Sequence, residues 1–179
     1  MTNPKDRYDS LLEFVWGLYQ DKYAPGMDLS VDWRLAKFQM LAESEANPRA
    51  ISPVGARGLF QLMPATWGTG FENEWPNPEL NMHRGIEHLW TMWKLFKEEG
   101  GIERWKYALG AYNCGQGWII KSQAFLKSRG KATDQWKLII EVLPQFTGPE
   151  NARETMLYVG RIISAYGVAA GWIDGSQSV

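Results

Sequence analysis

Apolar residues in this chain recur at the three- and four-residue spacing of a helix, and nowhere do they alternate long enough to build a strand. Leu12, Val15, Trp16 and Tyr19 follow the i, i+3, i+4, i+7 pattern and predict a first helix over Lys5 to Lys22, broken by Ala24-Pro25-Gly26. Ser30 is placed to N-cap a second helix, with Asp32 in its first turn favourable to the helix dipole. Asn47-Pro48 ends that helix near Ala46, because a residue before proline is pushed out of the α region. Residues 50–60 read as loop, with Gly55 and Gly58 as hinge points, and Pro64 fits the first turn of a short helix to Trp67. Gly68 to Pro78 holds Gly68, Gly70, Pro76 and Pro78 and reads as a surface loop. Helical periodicity returns over Met82 to Glu99, with Ile86, Leu89, Trp90 and Trp93 on one stripe and Gly100-Gly101 as its C-cap. It continues over Ile102–Asn113, Trp118–Ser128, Asp134–Val142 and Ala152–Gly171. No internal repeat, low-complexity tract or dividing linker interrupts the pattern. The expected fold is mainly α, one globule of about seven helices.

Length and composition narrow the functions. At 179 residues the chain fits one domain, 1–179, with 1–30 as an N-terminal helical extension. A net charge of −1 excludes a chain that holds nucleic acid mainly by charge, so no nucleic-acid partner is expected. Ten Trp is the outlying count. Most such rings fill cores, but an indole face also suits the apolar C–H face of a pyranose and loses little rotamer entropy on binding. Cys114 is the one cysteine, which excludes an intramolecular disulfide. His83 and His88 stand about 140° apart around a helix axis, unsuited to share a metal, and no C-x-x-C or H-E-x-x-H occurs. The expectation is no metal and no cofactor. MTNPKDRYDS is not followed by an apolar h-region, and Leu11 to Tyr19 is too short to span a bilayer. Neither a secretion signal nor membrane insertion is expected.

Acid catalysis requires a carboxyl group kept protonated near neutral pH, and burial is the means of raising its pKa. Glu43 follows Met40-Leu41-Ala42, an apolar setting suited to that, although a Glu at a helix end is usually solvated. Glu45 competes with it. At helical spacing the two side chains point about 200° apart, so only one can face a given cleft. The stripe Trp33, Ala36, Met40 leads to Glu43, and the stripe Leu35, Phe38, Ala42 leads equally well to Glu45. Periodicity does not choose between them.

Four blocks of the chain, taken together, make the choice. Glu43-Ser44, Asn47-Pro48, Ala50, Ser52-Pro53, Gly55-Ala56, Gly58-Leu59-Phe60-Gln61 and Leu62-Met63-Pro64-Ala65-Thr66 form the first. Asn77-Pro78-Glu79-Leu80-Asn81 with Gly85-Ile86 is the second, Ala111-Tyr112-Asn113-Cys114-Gly115 the third, and Glu154-Thr155 with Tyr158-Val159 the fourth. In order and spacing they resemble the catalytic core of the lytic transglycosylases, relatives of goose-type lysozyme, over Val31 to Ile163. The one departure in the G-L-M-Q element is Phe60 in place of Met, a large apolar residue for another.

The resemblance implies a lysozyme-like fold with an active-site cleft between helical lobes and a catalytic core over 31–163. It implies Glu43 as general acid and then general base. Ser52, Gln61 (through its amide), Met63, Asn113 and Tyr158 are implied as substrate contacts, and Tyr112 as a contact whose hydroxyl orients the acid. Glu154, one turn before Tyr158, is placed to support it. The partner implied is the peptidoglycan glycan strand, bound by a monomer and cut at the β-1,4 linkage between N-acetylmuramic acid and N-acetylglucosamine. The expected outcome is a 1,6-anhydro product made without water. The alternatives are a goose-type hydrolytic muramidase, with Glu72 or Glu74 placing water, and a non-catalytic wall-binding or structural phage protein. A compact chain without an export signal suits a phage lysin or virion-associated enzyme, made in the cytoplasm and acting on the wall.

Overall fold

The computed structural model describes residues 4–27, 29–97 and 99–172. Among these residues a 3-10 turn, Pro4–Asp6, precedes ten α-helices: α1 (Asp9–Tyr23), α2 (Arg34–Ser44), α3 (Pro64–Trp67), α4 (Phe71–Glu74), α5 (Pro78–Leu95), α6 (Gly101–Cys114), α7 (Gln116–Ser128), α8 (Trp136–Val142), α9 (Pro144–Thr147) and α10 (Pro149–Ala169). Extended pairing among them is limited to the isolated bridges Ile51–Arg57 and Arg57–Leu62. The expected mainly α fold is what the chain adopts. No helix among the described residues is long and apolar enough to cross a membrane.

Residues 4–88 with 165–172 form one compact unit and residues 89–164 a second, and α5 and α10 contribute to both. In the first unit α1 packs on α2. Leu12, Val15 and Trp16 of α1, Leu35 and Met40 of α2, and Met82 and Ile86 of α5 are all buried. Each fully buried aliphatic chain of this kind contributes about 1.5–3 kcal/mol. Lys37 on α2 reaches Asp6 at 2.6 Å and Asp9 at 2.8 Å, tethering the N-terminal turn and α1 to it. The end of α10 is fastened to the approach to α2: Asp32 N–H donates to the Tyr166 hydroxyl at 3.1 Å, and Arg34 Nη1 donates to the Ala169 carbonyl at 2.7 Å.

The second unit is organised around aromatic rings. α7 packs against α6, α8 and α9. Trp90, Trp93 and Trp105 form a mutual cluster with centroid separations of 5.1, 5.1 and 5.6 Å. Arg104 covers Trp93 and donates from Nε to its carbonyl at 2.9 Å. Tyr107 packs against Phe96 and edge-on to Trp136, and its hydroxyl donates to the Thr133 carbonyl at 2.6 Å. Six tryptophans, at 16, 67, 90, 93, 105 and 136, are buried, so the core reading holds for most of these rings.

Several boundaries differ from expectation for local reasons. Ser30 does not cap α2; Asp32 instead accepts the Arg34 N–H at 2.9 Å. α2 stops at Ser44, before Asn47-Pro48, because Glu45 and Ala46 both turn left-handed, at φ 53° and 62°. The stretch Gly68–Pro78 contains the single-turn helix α4, Pro144 opens α9 as well as following α8, and Gly100-Gly101 begins α6 rather than closing α5. The stripe Ile86, Leu89, Trp90, Trp93 is buried as expected.

α6 passes close to Trp136 at Gly110, where an added Cβ would stand 2.3 Å from Cη2 of the buried indole. Gly110→Ala is therefore expected to destabilise the protein by about 1–3 kcal/mol through overpacking. A urea denaturation midpoint that falls at unchanged m-value would show it; an unshifted midpoint would mean that Trp136 gives way freely.

Candidate functional site

The end of α2 fixes where Glu43 stands. Glu43 lies in the last turn and is half-buried, whereas Glu45 is exposed and forms the left-handed C-cap, its N–H bonded to the Leu41 carbonyl at 3.1 Å. A left-handed residue with a side chain costs about 1–2 kcal/mol, and two follow one another here. The turn is held by its own bonds. Asn47 N–H donates to the Ser44 carbonyl at 2.9 Å, Ala46 is 2% exposed, and Arg7 donates to the Ala46 carbonyl. Beside the acid, the buried Ser44 hydroxyl reaches the Leu59 carbonyl at 2.8 Å, shorter than its 3.2 Å approach to the Met40 carbonyl in its own helix. This bond joins the end of α2 to the loop that carries Ser52, Gln61 and Met63.

That loop is held together by side chains acting on backbone. Ser52 N–H donates to the Ala56 carbonyl at 2.9 Å, and the Ser52 hydroxyl oxygen accepts the Ala56 N–H at 3.0 Å. Arg57 and Leu62 pair reciprocally at 3.1 Å. Gln61, at φ 44°, donates from Nε2 to the carbonyls of Gly58 at 2.9 Å and Ala50 at 3.2 Å, which uses both protons of its amide. Met63 is extended ahead of Pro64 and 40% exposed. Sequence reasoning missed the role of Asn81, which is 1% exposed. Its Oδ1 accepts the Phe60 N–H at 2.9 Å, and its Nδ2 donates to the carbonyls of Arg57 at 3.3 Å and Trp75 at 3.2 Å. Gly58, at φ 80°, is required beneath it, since a Cβ there would lie 2.0 Å from Asn81 Nδ2. The block Asn77–Asn81 was visible in the sequence, but its partners were not.

The two acids considered as water-placing groups have other partners. Glu72 accepts from Arg57 Nη1 at 2.8 Å, and that guanidinium packs over the rings of Phe71 and Trp75. Glu74 accepts the Trp67 indole N–H at 3.3 Å.

In the second unit, Tyr112 and Asn113 lie in the last turn of α6, and Tyr158 on α10. Both tyrosines are half-buried, and Glu154 is exposed. Asn113 Oδ1 accepts the hydroxyl of the buried Thr155 at 2.8 Å, which links α6 to α10. Gly115, at φ 93°, forms the cap of α6, so Asn113 is not the capping residue. A pocket of about 310 Å³ opens beside these groups, with Asn113, Cys114, Trp118, Phe146 and Glu154 among its walls. Burial pushes the Cys114 thiol above its usual range, with the Thr155 hydroxyl pulling the other way.

A family model described as Transglycosylase SLT domain matches residues 24–135. That span includes Glu43, Ser52, Gln61, Met63, Tyr112 and Asn113, and Tyr158 lies beyond it. The membrane-bound lytic murein transglycosylase F of Vibrio cholerae is 34% identical over 116 residues, 64% of this chain and 22% of that protein. Its counterpart in Shewanella pealeana is 29% identical over 169 residues, 88% of this chain and 34% of that protein. The chain thus spans between a fifth and about a third of these relatives' length. The crystal structure of the 70-kDa soluble lytic transglycosylase of Escherichia coli has a similar fold, with a TM-score of 0.59 at 22% identity, covering 90% of this chain and 25% of that one. The complex of a 70-kDa soluble lytic transglycosylase with bulgecin A matches to the same extent.

Removing the hydroxyl in Ser44→Ala leaves the Leu59 carbonyl without that donor in a buried setting. The expected cost is about 1–3 kcal/mol, read from urea denaturation. A loss below a few tenths of a kcal/mol would show that the bond between α2 and the loop adds nothing to stability.

Proposed function

The chain belongs to the Transglycosylase SLT domain family, and on that premise we propose that it cleaves the β-1,4 bond between N-acetylmuramic acid and N-acetylglucosamine in peptidoglycan, with Glu43 as general acid and base. The observation that carries the reading is the half-buried position of Glu43 in the last turn of α2, beside the anchored Ser44, while its competitor Glu45 is turned out on an exposed left-handed cap. An acid catalyst requires a carboxyl group whose charged form is disfavoured, and removal from water is what disfavours it.

The reaction balances without a second protein carboxylate. Glu43 gives its proton to the leaving O4 as the C1–O4 bond breaks, and the acetamido group of the muramic acid stabilises positive charge at C1. Glu43, now a carboxylate, takes the proton of the same sugar's 6-hydroxyl as the C1–O6 bond forms. The acid is regenerated and the product carries a 1,6-anhydro ring. Nucleophile and electrophile share one molecule, which gives a large effective-molarity advantage over water.

Ser52, Gln61, Met63, Tyr112, Asn113 and Tyr158 are assigned to substrate binding, and the geometry limits how some of them act. Gln61 meets a sugar through Oε1, since its NH2 is committed to the loop. Asn113 meets one through its NH2, since Oδ1 accepts from Thr155. The relatives named above are bacterial proteins, which lends a phage setting no support.

Glu43→Gln is expected to slow the clearing of purified cell walls by about 10²–10⁴-fold, the usual contribution of a general acid–base group. Clearing at the unmodified rate would remove Glu43 from the mechanism. Mass analysis of the digest decides the outcome at C1. Muropeptides lighter by one water support the anhydro product, and reducing-end muramic acid would make the protein a muramidase.

A further inference from the structure

Gln39, in the middle of α2, is 0% exposed, and neither its Oε1 nor its Nε2 has a hydrogen-bond partner among the described residues. Along the helix it lies among the buried Leu35, Ala36 and Met40. It differs from Asp9 and Arg57, which each leave one buried atom unpaired but form an ion pair through another. It differs also from Asn81, whose amide is bonded at both ends. An amide taken out of water with both ends unpaired lowers stability, and an apolar side chain of the same bulk avoids that loss. A buried group of this kind calls for a use outside the folding of the chain.

Gln39 stands four residues before Glu43 on the same helix. At that spacing two side chains share a helix face, with about 5–6 Å between their Cβ atoms, which a Gln side chain can span. We propose that Gln39 is a positioning residue for Glu43: its NH2 donates to the Glu43 carboxylate after the proton has gone to the leaving oxygen and before it is recovered from the 6-hydroxyl. The inference rests on the reading of Glu43 as general acid and base. The donation needs only rotation about the side-chain bonds of Gln39, and hydrogen bonds that serve catalysis often close only in the substrate complex. The bond is made to the ionised state and not to the resting acid, so it lowers the barrier without tightening the hold on substrate. Being wholly buried, Gln39 acts through Glu43 and not on the sugar.

Gln39→Met removes the amide and keeps its bulk. Initial rates of cell-wall clearing are measured against wall concentration, beside urea denaturation of the same proteins, with Gln39→Leu as a second variant of similar volume. The maximal rate is expected to fall about 10–100-fold, the worth of one hydrogen bond to a charged group. The half-saturating wall concentration is expected to stay unchanged, and the urea midpoint to equal or exceed that of the unmodified protein. A residue that only holds the fold would lower the midpoint and leave the maximal rate of the folded protein as it was. An unchanged maximal rate, a loss confined to the half-saturating concentration, or a lowered midpoint in both variants would each overturn the positioning role. Glu43→Gln is run alongside. If it loses clearing while Gln39→Met keeps it, the positioning role alone falls; if Glu43→Gln clears at the unmodified rate, both fall.

Discussion

A single buried hydroxyl, that of Ser44, ties the end of α2 to the loop that follows it in the first unit. It stands next to Glu43 and donates to the carbonyl of Leu59 in a loop fifteen residues on. Around it, Asn81, Ser52 and Gln61 satisfy backbone groups of the same loop. A buried network of this kind is stiff when complete and costly when one member is lost, because each donor or acceptor left unpaired in low dielectric loses its full hydration. The consequence for function is that the acid is not placed by α2 alone. Its helix end, the left-handed turn at Glu45–Ala46 and the loop are one connected arrangement.

This changes how the motif residues are to be understood. Ser44, Ser52 and Gln61 are polar residues in a motif associated with substrate, yet the bonds the structure gives them are to the protein's own backbone. A residue type required at a site can be required for holding the loop, for meeting the sugar, or for both. Gln61 shows the first use, with both protons of its amide committed to loop carbonyls, and the proposed sugar contact would fall to its carbonyl oxygen.

Much of the fold was legible because helical periodicity reports burial directly. Leu12, Val15 and Trp16, and Ile86, Leu89, Trp90 and Trp93, are buried as their spacing requires. What was not legible depends on partners distant in sequence or on punctuation with two meanings. Proline stops one helix and starts another, so α9 was hidden behind Pro144. Glycine and proline around residues 68–78 masked the single turn of α4. Glu43 and Glu45 were degenerate on a helical wheel, and their settings differ through something a wheel does not contain, a left-handed residue at position 45. Asn81 could be seen as part of a block, but its pairing with Phe60, Arg57 and Trp75 exists only in three dimensions.

The half-burial of Glu43 also fits the two roles assigned to it better than full burial would. A carboxyl group sealed in an apolar core stays protonated but cannot exchange its proton with a substrate, and one fully in water ionises near its ordinary value. A glycan lying over Glu43 would exclude water and strengthen the bias toward the neutral acid when the proton is needed. In the proposed cycle, the carboxylate left after the proton goes to the leaving oxygen would be stabilised by positive charge at the anomeric carbon, so the same site would then favour the ionised base. Such a cycle needs an acid whose position is fixed and whose solvation the substrate controls. The bond from Ser44 to Leu59 would serve the first condition, and the half-buried last turn of α2 would leave the second to the ligand.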